Sequence, residues 1–482
     1  MNKKLPSVKK NALLNSIRSI LSIAFPLITY PYVTRILQAD NLGKVNFASS
    51  TMSYFSLIAV LGLTSYAGRE GIKYRDNQKK LNEFCSELLT LNICTTIFAY
   101  IALGGVILIF PSFQTYMGLL GIYSITILFS TFGMEWIYTI YEDYTYITIR
   151  SIIFQVVSIP LMFILVRNKN DFYLYAGINV FASVGSNIFN MIHSRKYISP
   201  KIIINKKIFQ HLKSSLVFFA NSIASSIYSN IDTTMLGMMC TDYNVGIYAV
   251  SVKIYTMVKS ILVAIMTVTT PRLTYYRFNN LYDEFNAMTS KLVKTMITFL
   301  FPVVVGINLT ANEIILVISG KGYIDSVTSL RILSFAIFAS IFACITSNIL
   351  IACKKEKLVL RGTVMAALTN LGINIFVIPI FKQNGAAFTT VLAELVVFLF
   401  GFYNSRKDVK LENLCKVIVS SLGGCLAMAV IAMAIEHITN IVLVKLILKL
   451  ILCVITYFGI CFMMKNQIVL EYWELFKRKI NR

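Results

Sequence analysis

Apolar runs, each long enough to form a membrane-spanning helix, follow one another along almost the whole of this 482-residue sequence. A helix needs about 20 apolar residues to cross the roughly 30 Å hydrocarbon layer of a bilayer. The runs cover residues 13–37, 45–65, 85–110, 118–140, 147–166, 172–192, 214–239, 245–270, 292–311, 329–351, 361–381, 386–403, 416–436 and 442–463. The runs at 13–37 and 214–239 are the weakest, because both are rich in Ser, Thr and Asn. The sequence therefore predicts an all-α integral membrane protein with about 14 transmembrane helices.

The composition agrees, since 56% of the residues are hydrophobic and only 14% are charged. Soluble proteins carry about 25% charged residues. The net charge of +23 would suggest a nucleic-acid partner in a soluble protein. In a membrane protein the first explanation is retention of Lys and Arg in cytoplasmic loops, and the second is attraction of anionic lipids or of an anionic substrate. We expect no nucleic-acid partner.

The loop charges also predict the orientation of the chain. If the N-terminus is cytoplasmic, the inside segments hold 31 of the 45 Lys and Arg residues and the outside loops hold four. Positive residues favour the cytoplasmic side, and an even number of spans returns the C-terminus to that side. We therefore expect a multi-pass membrane protein with both termini in the cytoplasm.

The longest interruption between the runs divides the chain into parts. We predict an N-terminal six-helix lobe at 1–192, a basic linker at 193–213, a C-terminal six-helix lobe at 214–403, and two extra helices with a basic tail at 404–482. The linker could instead lie on the inner leaflet as a basic amphipathic segment. Gly43 opens the second helix and Gly246 opens the eighth, 203 residues later, each after a turn with Asp and Asn. Such echoes are typical of repeated transporter halves.

Charged residues inside the predicted helices are candidates for function, because a charge at the bilayer centre costs about 2.5–3.5 kcal/mol on insertion scales. Lys253 and Lys259 flank the middle of the run 245–270, and Glu394 is near the middle of its run. The remaining candidates are Arg18, Arg35, Arg150, Asp232 and Arg331. Of these, Arg18, Arg150 and Arg331 are close enough to helix ends to reach lipid headgroups.

Two interpretations of the deep charges remain open. A cavity lined by Lys253, Lys259, Arg18 and Arg35 would attract an anion such as a phosphate or pyrophosphate. Asp232 and Glu394 would then serve ion coupling or structural pairing. Alternatively, Lys253 pairs with Asp232, and Glu394 pairs with another basic residue, as structural bridges. Pro26 and Pro31 suggest a bent or hinged first helix, although a passive kink is equally compatible with them.

Several classes of site are not indicated. There is no GxxxxGK[ST] phosphate-binding loop, no HExxH and no Ser–His–Asp constellation. The nine Cys residues form no CxxC pair, and the three His residues are scattered, so we expect neither a disulfide framework nor a metal site. No cofactor is predicted, and the protein is expected not to be an enzyme.

The stretches FPLITYPYVTRILQADNLGKVNFASS, EDYTYITIRSIIFQ and SNIDTTMLGMMCTDYNVGIYAVS, followed by SGKGYIDSVTSLRIL and NLGINIFVIPIFKQNGAAFTTVLAELV, lie in the order and spacing of a known family. The chain resembles the Wzx-type polysaccharide flippases. Their superfamily includes the multidrug and toxin extrusion (MATE) transporters and the lipid II flippases. The likeness covers nearly the whole chain.

The resemblance implies a MATE-like fold of two six-helix lobes around a central cationic cavity, followed by two extra helices. It implies that an undecaprenyl-pyrophosphate-linked oligosaccharide moves from the inner to the outer leaflet of the bacterial cytoplasmic membrane for O-antigen, capsule or another surface polysaccharide, driven by an ion gradient. Membrane lipids, a polysaccharide polymerase and glycosyltransferases are the other candidate partners. The alternatives are a cation-coupled multidrug exporter of the same fold, which would favour acidic cavity residues, and a membrane polysaccharide polymerase, which would have a large outside loop.

Overall fold

The computed structural model describes residues 8–267 and 269–480, and the side chains of residues 25–266 and 269–478. The described residues form helices and contain no β-strand. The α-helices are α1 (Val8–Val60), α2 (Leu63–Gly71), α3 (Gln78–Ile109), α4 (Pro111–Gln114), α5 (Met117–Gly133), α6 (Glu135–Ile140), α7 (Tyr144–Leu165), α8 (Phe172–Val180), α9 (Asn187–Ser194), α10 (Lys207–Met239), α11 (Asp242–Thr267), α12 (Thr270–Phe278), α13 (Tyr282–Ile318), α14 (Ser326–Ala352), α15 (Glu356–Ser405), α16 (Leu414–Glu436), α17 (Val442–Met463) and α18 (Gln467–Ile480).

Within the described part of the chain, nine helical stretches are long and apolar enough to cross a membrane. Large apolar side chains such as Leu108, Phe376 and Leu426 are more than 70% exposed on these helices. Such surfaces are stable in lipid, where every backbone polar group must be paired inside the helix. The predicted all-α membrane fold is confirmed. The Ser- and Asn-rich α10 is not among the nine stretches.

Two of the long helices contain a sharp break. The backbone leaves the helical region at Gln38 in α1 (φ 63°) and at Lys382 in α15 (φ 50°). Each break replaces a connection that the apolar runs predict as a short loop. Because α15 has 50 residues, it is about 75 Å long if straight and is long enough for two crossings. The total of 14 crossings stays a prediction. The helix continues through Pro26 and Pro31, and Gln38 is its only non-helical position.

The chain separates into two compact units, Met1–Gly246 and Ile247–Arg482, here called the N-terminal and C-terminal units. Their boundary falls in the first turns of α11, so that α10 belongs to the N-terminal unit. The lobes predicted at 1–192 and 214–403, the linker at 193–213 and the tail at 404–482 stay predictions. A cluster of buried side chains that includes Phe84, Trp136 and Tyr138 forms part of the N-terminal unit's core.

The two glycines that echo each other in the sequence meet in the N-terminal unit. A Cβ atom on Gly43 would lie 1.8 Å from the backbone oxygen of Asp242, and one on Gly246 would lie 1.9 Å from the backbone oxygen of Ala39. The contact is therefore reciprocal: the part of α1 that follows the break at Gln38 packs against the first turn of α11. Only glycine allows two backbones to approach so closely. This explains why glycine is needed at both positions.

In the C-terminal unit, α16 and α17 pack against α13. Cys425, Cys453, Cys461 and Tyr457 are buried between these helices. The Tyr457 hydroxyl donates a hydrogen bond of 2.7 Å to the backbone oxygen of Thr298 on α13. The cysteines act here as small apolar side chains, which is the packing role expected from their positions in apolar runs.

Candidate functional site

Two of the candidate residues meet in the C-terminal unit. Lys259 on α11 places its Nζ atom 2.6 Å from Oε1 of Glu394 on α15. The Tyr255 hydroxyl, one turn before Lys259, donates to the same oxygen at 2.8 Å and accepts a hydrogen bond of 3.1 Å from Lys259 Nζ. We call these three residues the Lys259 cluster. The structure therefore shows Glu394 paired with a basic residue, whereas the predicted pairing of Lys253 with Asp232 stays a prediction.

The burial of the three side chains is unequal. Glu394 and Tyr255 are buried, whereas 29% of the Lys259 side chain is exposed. An ionised carboxylate in apolar surroundings is stable only when it is paired and hydrogen-bonded, and Glu394 has both kinds of partner. An ammonium group has three N–H donors, and two of those on Lys259 have partners among the described residues. The ammonium group of Lys259 is therefore held in place by its two partners and is still partly accessible to a ligand.

Lys253 lies on the same helix but not on the same face. Six residues separate it from Lys259, which corresponds to about 9 Å along the helix axis and about 240° around it. Lys253 is half-buried. The α11 backbone thus does not bring the two lysines into one patch, although the sequence places both near the middle of the helix.

The remaining deep charges lie in the N-terminal unit. Asp232 on α10 is 6% exposed, and Arg35 on α1 is exposed. Arg18 lies in the first part of α1, where the structure describes no side chains. Near Asp232, α1 and α10 are joined by the Ser50 hydroxyl, which bonds the Asn230 backbone oxygen at 3.0 Å.

Two arginines near helix ends differ in their surroundings. Arg150 on α7 is only 7% exposed and donates hydrogen bonds to the Ser186 backbone oxygen (2.8 Å) and to Asn187 Oδ1 (3.3 Å). It therefore fixes α7 against the start of α9 and does not reach toward headgroups. Arg331 on α14 is exposed, as a headgroup contact requires.

The C-terminal unit contains a second charged network, which the apolar runs do not indicate. Lys449 Nζ on α17 lies 2.6 Å from Glu313 Oε1 on α13 and 2.7 Å from Glu436 Oε2 at the end of α16. Lys445, one turn earlier, bonds the other oxygen of Glu436 at 3.0 Å. The available signal was the spacing of four residues between the two lysines, which places both on one helix face. Glu313 gave no signal, because it lies beyond the end of the apolar run 292–311.

Comparison with known proteins decides the family. Residues 8–277, more than half of the chain, match the family described as "Polysaccharide biosynthesis protein". The chain belongs to this family. The predicted resemblance to Wzx-type polysaccharide flippases is thereby confirmed.

Individual proteins of known sequence or structure resemble this family member over most of its length. A "Putative O-antigen transporter" of Shigella dysenteriae is 25% identical over 408 residues, which are 82% of this chain and 98% of that protein. The structure of the lipid II flippase MurJ in an inward closed conformation covers 98% of this chain and 99% of its own, with a TM-score of 0.70 and 16% identity. A multidrug resistance MATE family transporter, inward-facing, covers 81% of this chain and 97% of its own, with a TM-score of 0.58 and 14% identity. The MATE-like fold is confirmed.

Proposed function

We propose that this protein is a flippase. It moves undecaprenyl-pyrophosphate-linked oligosaccharide repeat units from the inner to the outer leaflet of the bacterial cytoplasmic membrane, for the synthesis of a surface polysaccharide. Membership of the polysaccharide biosynthesis family and similarity to a protein named for O-antigen transport support this function. The protein is a transporter and not an enzyme.

The observation that carries the proposal is the ion pair of the Lys259 cluster, in which Glu394 is buried and the ammonium group of Lys259 stays partly exposed. A phosphate oxygen is chemically similar to the carboxylate oxygen of Glu394, because both accept charge-assisted hydrogen bonds from an ammonium group. A pyrophosphate that approaches the exposed side of Lys259 would share its ammonium with Glu394 and then leave it paired again. Lys259 thus always has a counter-ion in the membrane. The ligand is released because Glu394 competes with it for the ammonium group of Lys259.

Further features belong to the same proposal. Lys253, Arg18 and Arg35 supply additional positive charge along the substrate path, and Asp232 and Glu394 provide ion coupling or structural pairing. Both termini are in the cytoplasm. A polymerase receives the flipped unit, and glycosyltransferases supply it. A cationic drug would be repelled by Lys259, which makes the multidrug alternative less favourable.

Purified protein in liposomes tests the proposal. A fluorescent undecaprenyl-pyrophosphoryl oligosaccharide is placed in both leaflets, and a reductant that cannot cross the membrane quenches only the outer label. With the native protein, the fraction of label that is protected from the reductant should fall to near zero. Lys259→Met should slow this at least about tenfold, because one charge-assisted hydrogen bond contributes about 1.5–3 kcal/mol. Replacement of Lys253 and Lys259 together should slow it further.

Lys357→Met is the matched control, since Lys357 is an exposed lysine of the same unit at the start of α15. It should flip at the native rate. Thermal unfolding and the amount of inserted protein must be equal across variants. Native flipping rates in the double variant would refute the role of the lysines. Failure of the native protein to flip this lipid, together with export of a cationic dye, would replace the flippase by the exporter.

A further inference from the structure

A cavity of about 380 Å³ lies in the N-terminal unit, far along the sequence from the Lys259 cluster. Residues from α2, from the turn that follows it, and from the start of α10 line this cavity. They include Tyr66, Arg69, Tyr74, Gln210 and His211. All of them lie in or beside the segments 66–84 and 193–213, which the proposed orientation places on the cytoplasmic side.

A chain of hydrogen bonds runs from the interior to this cavity. Glu87 on α3 is 3% exposed, and its Oε2 atom lies 2.8 Å from Nε2 of His211. Nδ1 of His211 lies 2.8 Å from the hydroxyl of Tyr66. The other oxygen of Glu87 accepts a hydrogen bond of 2.6 Å from Asn205. Both ring nitrogens of His211 are therefore occupied, and the histidine is fixed between a buried carboxylate and a phenol.

This arrangement couples the direction of the Tyr66 hydroxyl to the protonation state of His211. In the neutral ring, Nε2–H donates to Glu87 and Nδ1 must accept, so the Tyr66 hydroxyl donates its hydrogen to His211. The Tyr66 oxygen then offers only lone pairs to the cavity. In the protonated ring, Nδ1–H donates to the Tyr66 oxygen, and the hydroxyl hydrogen is free to point into the cavity. Protonation thus converts Tyr66 from an acceptor into a donor.

The rest of the cavity favours a phosphorylated sugar. Arg69 is exposed, and the described part of the chain offers it no ion pair. Its guanidinium group is suited to bidentate contact with a phosphate. The rings of Tyr66 and Tyr74 and the amide of Gln210 line the same cavity, and such groups are suited to contacts with sugar faces and hydroxyls. Ser214 adds a second hydroxyl beside Tyr66.

Other charges near His211 are mostly compensated. Glu70 bonds Lys73 at 2.7 Å, and Lys207 bonds Glu83 at 2.8 Å and lies 4.0 Å from Glu87. These pairs come from α2 and the turn after it, from α3 and from α10, which are the elements packed around the histidine. Arg69 remains as the uncompensated positive charge at the cavity, and it selects for an anion.

We propose that this cavity is a second binding site, which captures the phosphate-bearing saccharide end of the lipid-linked substrate on the cytoplasmic side. Arg69 binds the phosphate, and the Tyr66 hydroxyl donates to it when His211 is protonated. The choice of ligand rests on the proposed function, whereas the site itself rests on the geometry of Tyr66, His211 and Glu87.

Binding to the full-length protein in nanodiscs tests the site. The probe is a short-chain isoprenyl pyrophosphoryl monosaccharide, whose diester phosphates do not titrate between pH 5.5 and 8. The native protein should bind it more tightly at the acidic end of this range, where a histidine is more often protonated. Arg69→Ala should weaken binding about tenfold at every pH, because it removes a charge-assisted contact. Arg195→Ala, an exposed arginine outside the cavity, is the matched control and should bind like the native protein.

Two variants isolate the coupling. Tyr66→Phe should bind weakly and lose the pH dependence, and His211→Gln should bind with an affinity that does not vary with pH. Equal melting temperatures across the variants exclude a folding defect. Unchanged affinity in both Arg69→Ala and Tyr66→Phe would overturn the proposal. Persistence of the pH dependence in His211→Gln would overturn the coupling.

A third arm identifies the source of the phosphate. Nanodiscs with phosphatidylglycerol are compared with nanodiscs of zwitterionic lipid only. If phosphatidylglycerol displaces the probe and abolishes the effect of Arg69→Ala, the site binds lipid headgroups and the proposed ligand is wrong. Lys259→Met should slow flipping, while the pH dependence of binding and the weakening caused by Arg69→Ala should persist in its presence. Failure of the site and failure of the flippase function are therefore distinguishable.

Discussion

Two lysine–glutamate pairs in the C-terminal unit have the same distance between nitrogen and oxygen, but their lysine side chains differ in exposure. Lys259–Glu394 and Lys449–Glu313 both measure 2.6 Å, and both carboxylate side chains are at most 5% exposed. However, 29% of the Lys259 side chain is exposed, against 4% for Lys449. The distance between the charges therefore does not by itself show which ammonium group is open to a ligand.

The difference lies in what surrounds each ammonium group. Lys449 donates to Glu313, to Glu436 and, at 3.3 Å, to the backbone oxygen of Leu309, so all three of its N–H groups are used. Lys259 uses two. A fully occupied ammonium fastens α17 to α13 and α16 and has no capacity for a ligand. A partly occupied, partly exposed one keeps that capacity.

The largest effect should follow from removal of Lys449. Lys449→Met leaves Glu313 buried without a counter-ion, which costs about 3–5 kcal/mol in comparable sites. Thermal or denaturant unfolding in detergent measures this loss, and flipping per folded molecule should remain at the native level. Lys445→Met on the same helix is the control. It should cost about 1 kcal/mol or less, because its partner Glu436 is 51% exposed.

Removal of both partners should reverse most of that loss. Lys449→Met combined with Glu313→Leu replaces the pair by apolar side chains, and such replacements are often neutral or stabilising. We expect at least about 2 kcal/mol of recovery relative to Lys449→Met alone, measured in the same unfolding experiment. A double variant as unstable as the single one would mean that Lys449 acts through packing and not through its pairing with Glu313.

The loss of stability caused by Lys259→Met should be smaller than that caused by Lys449→Met. Glu394 keeps the Tyr255 hydroxyl, and the exposed side of the cluster allows partial solvation, so we expect a loss of about 1–2 kcal/mol. The flipping rate should fall at least about tenfold in the same variant. If Lys259→Met were as destabilising as Lys449→Met and flipped normally, the two pairs would have the same structural role.

Two residues of the Lys259 cluster, Lys259 and Glu394, can be predicted from the sequence, but their contact cannot. Lys259 and Glu394 are visible because each interrupts an apolar run near its middle. Their pairing is not visible, because 135 residues separate them and nothing local selects one partner over another. Tyr255 was overlooked among the chain's 26 Tyr residues. The cavity lined by Tyr66 and His211 is also not visible in the sequence. Glu87, which fixes His211, lies on a different helix, so nothing local connects the two residues.

The sequence by itself determined that lipid is the solvent of this protein and that its structure is helical. These follow from the composition and periodicity of the chain, because a backbone in hydrocarbon must satisfy its own hydrogen bonds. Only the tertiary structure decided which buried charges are neutralised and which stay open. Hydrophobicity fixes how deep a charged residue lies, but its chemistry depends on the few atoms that distant helices place within about 3 Å of it.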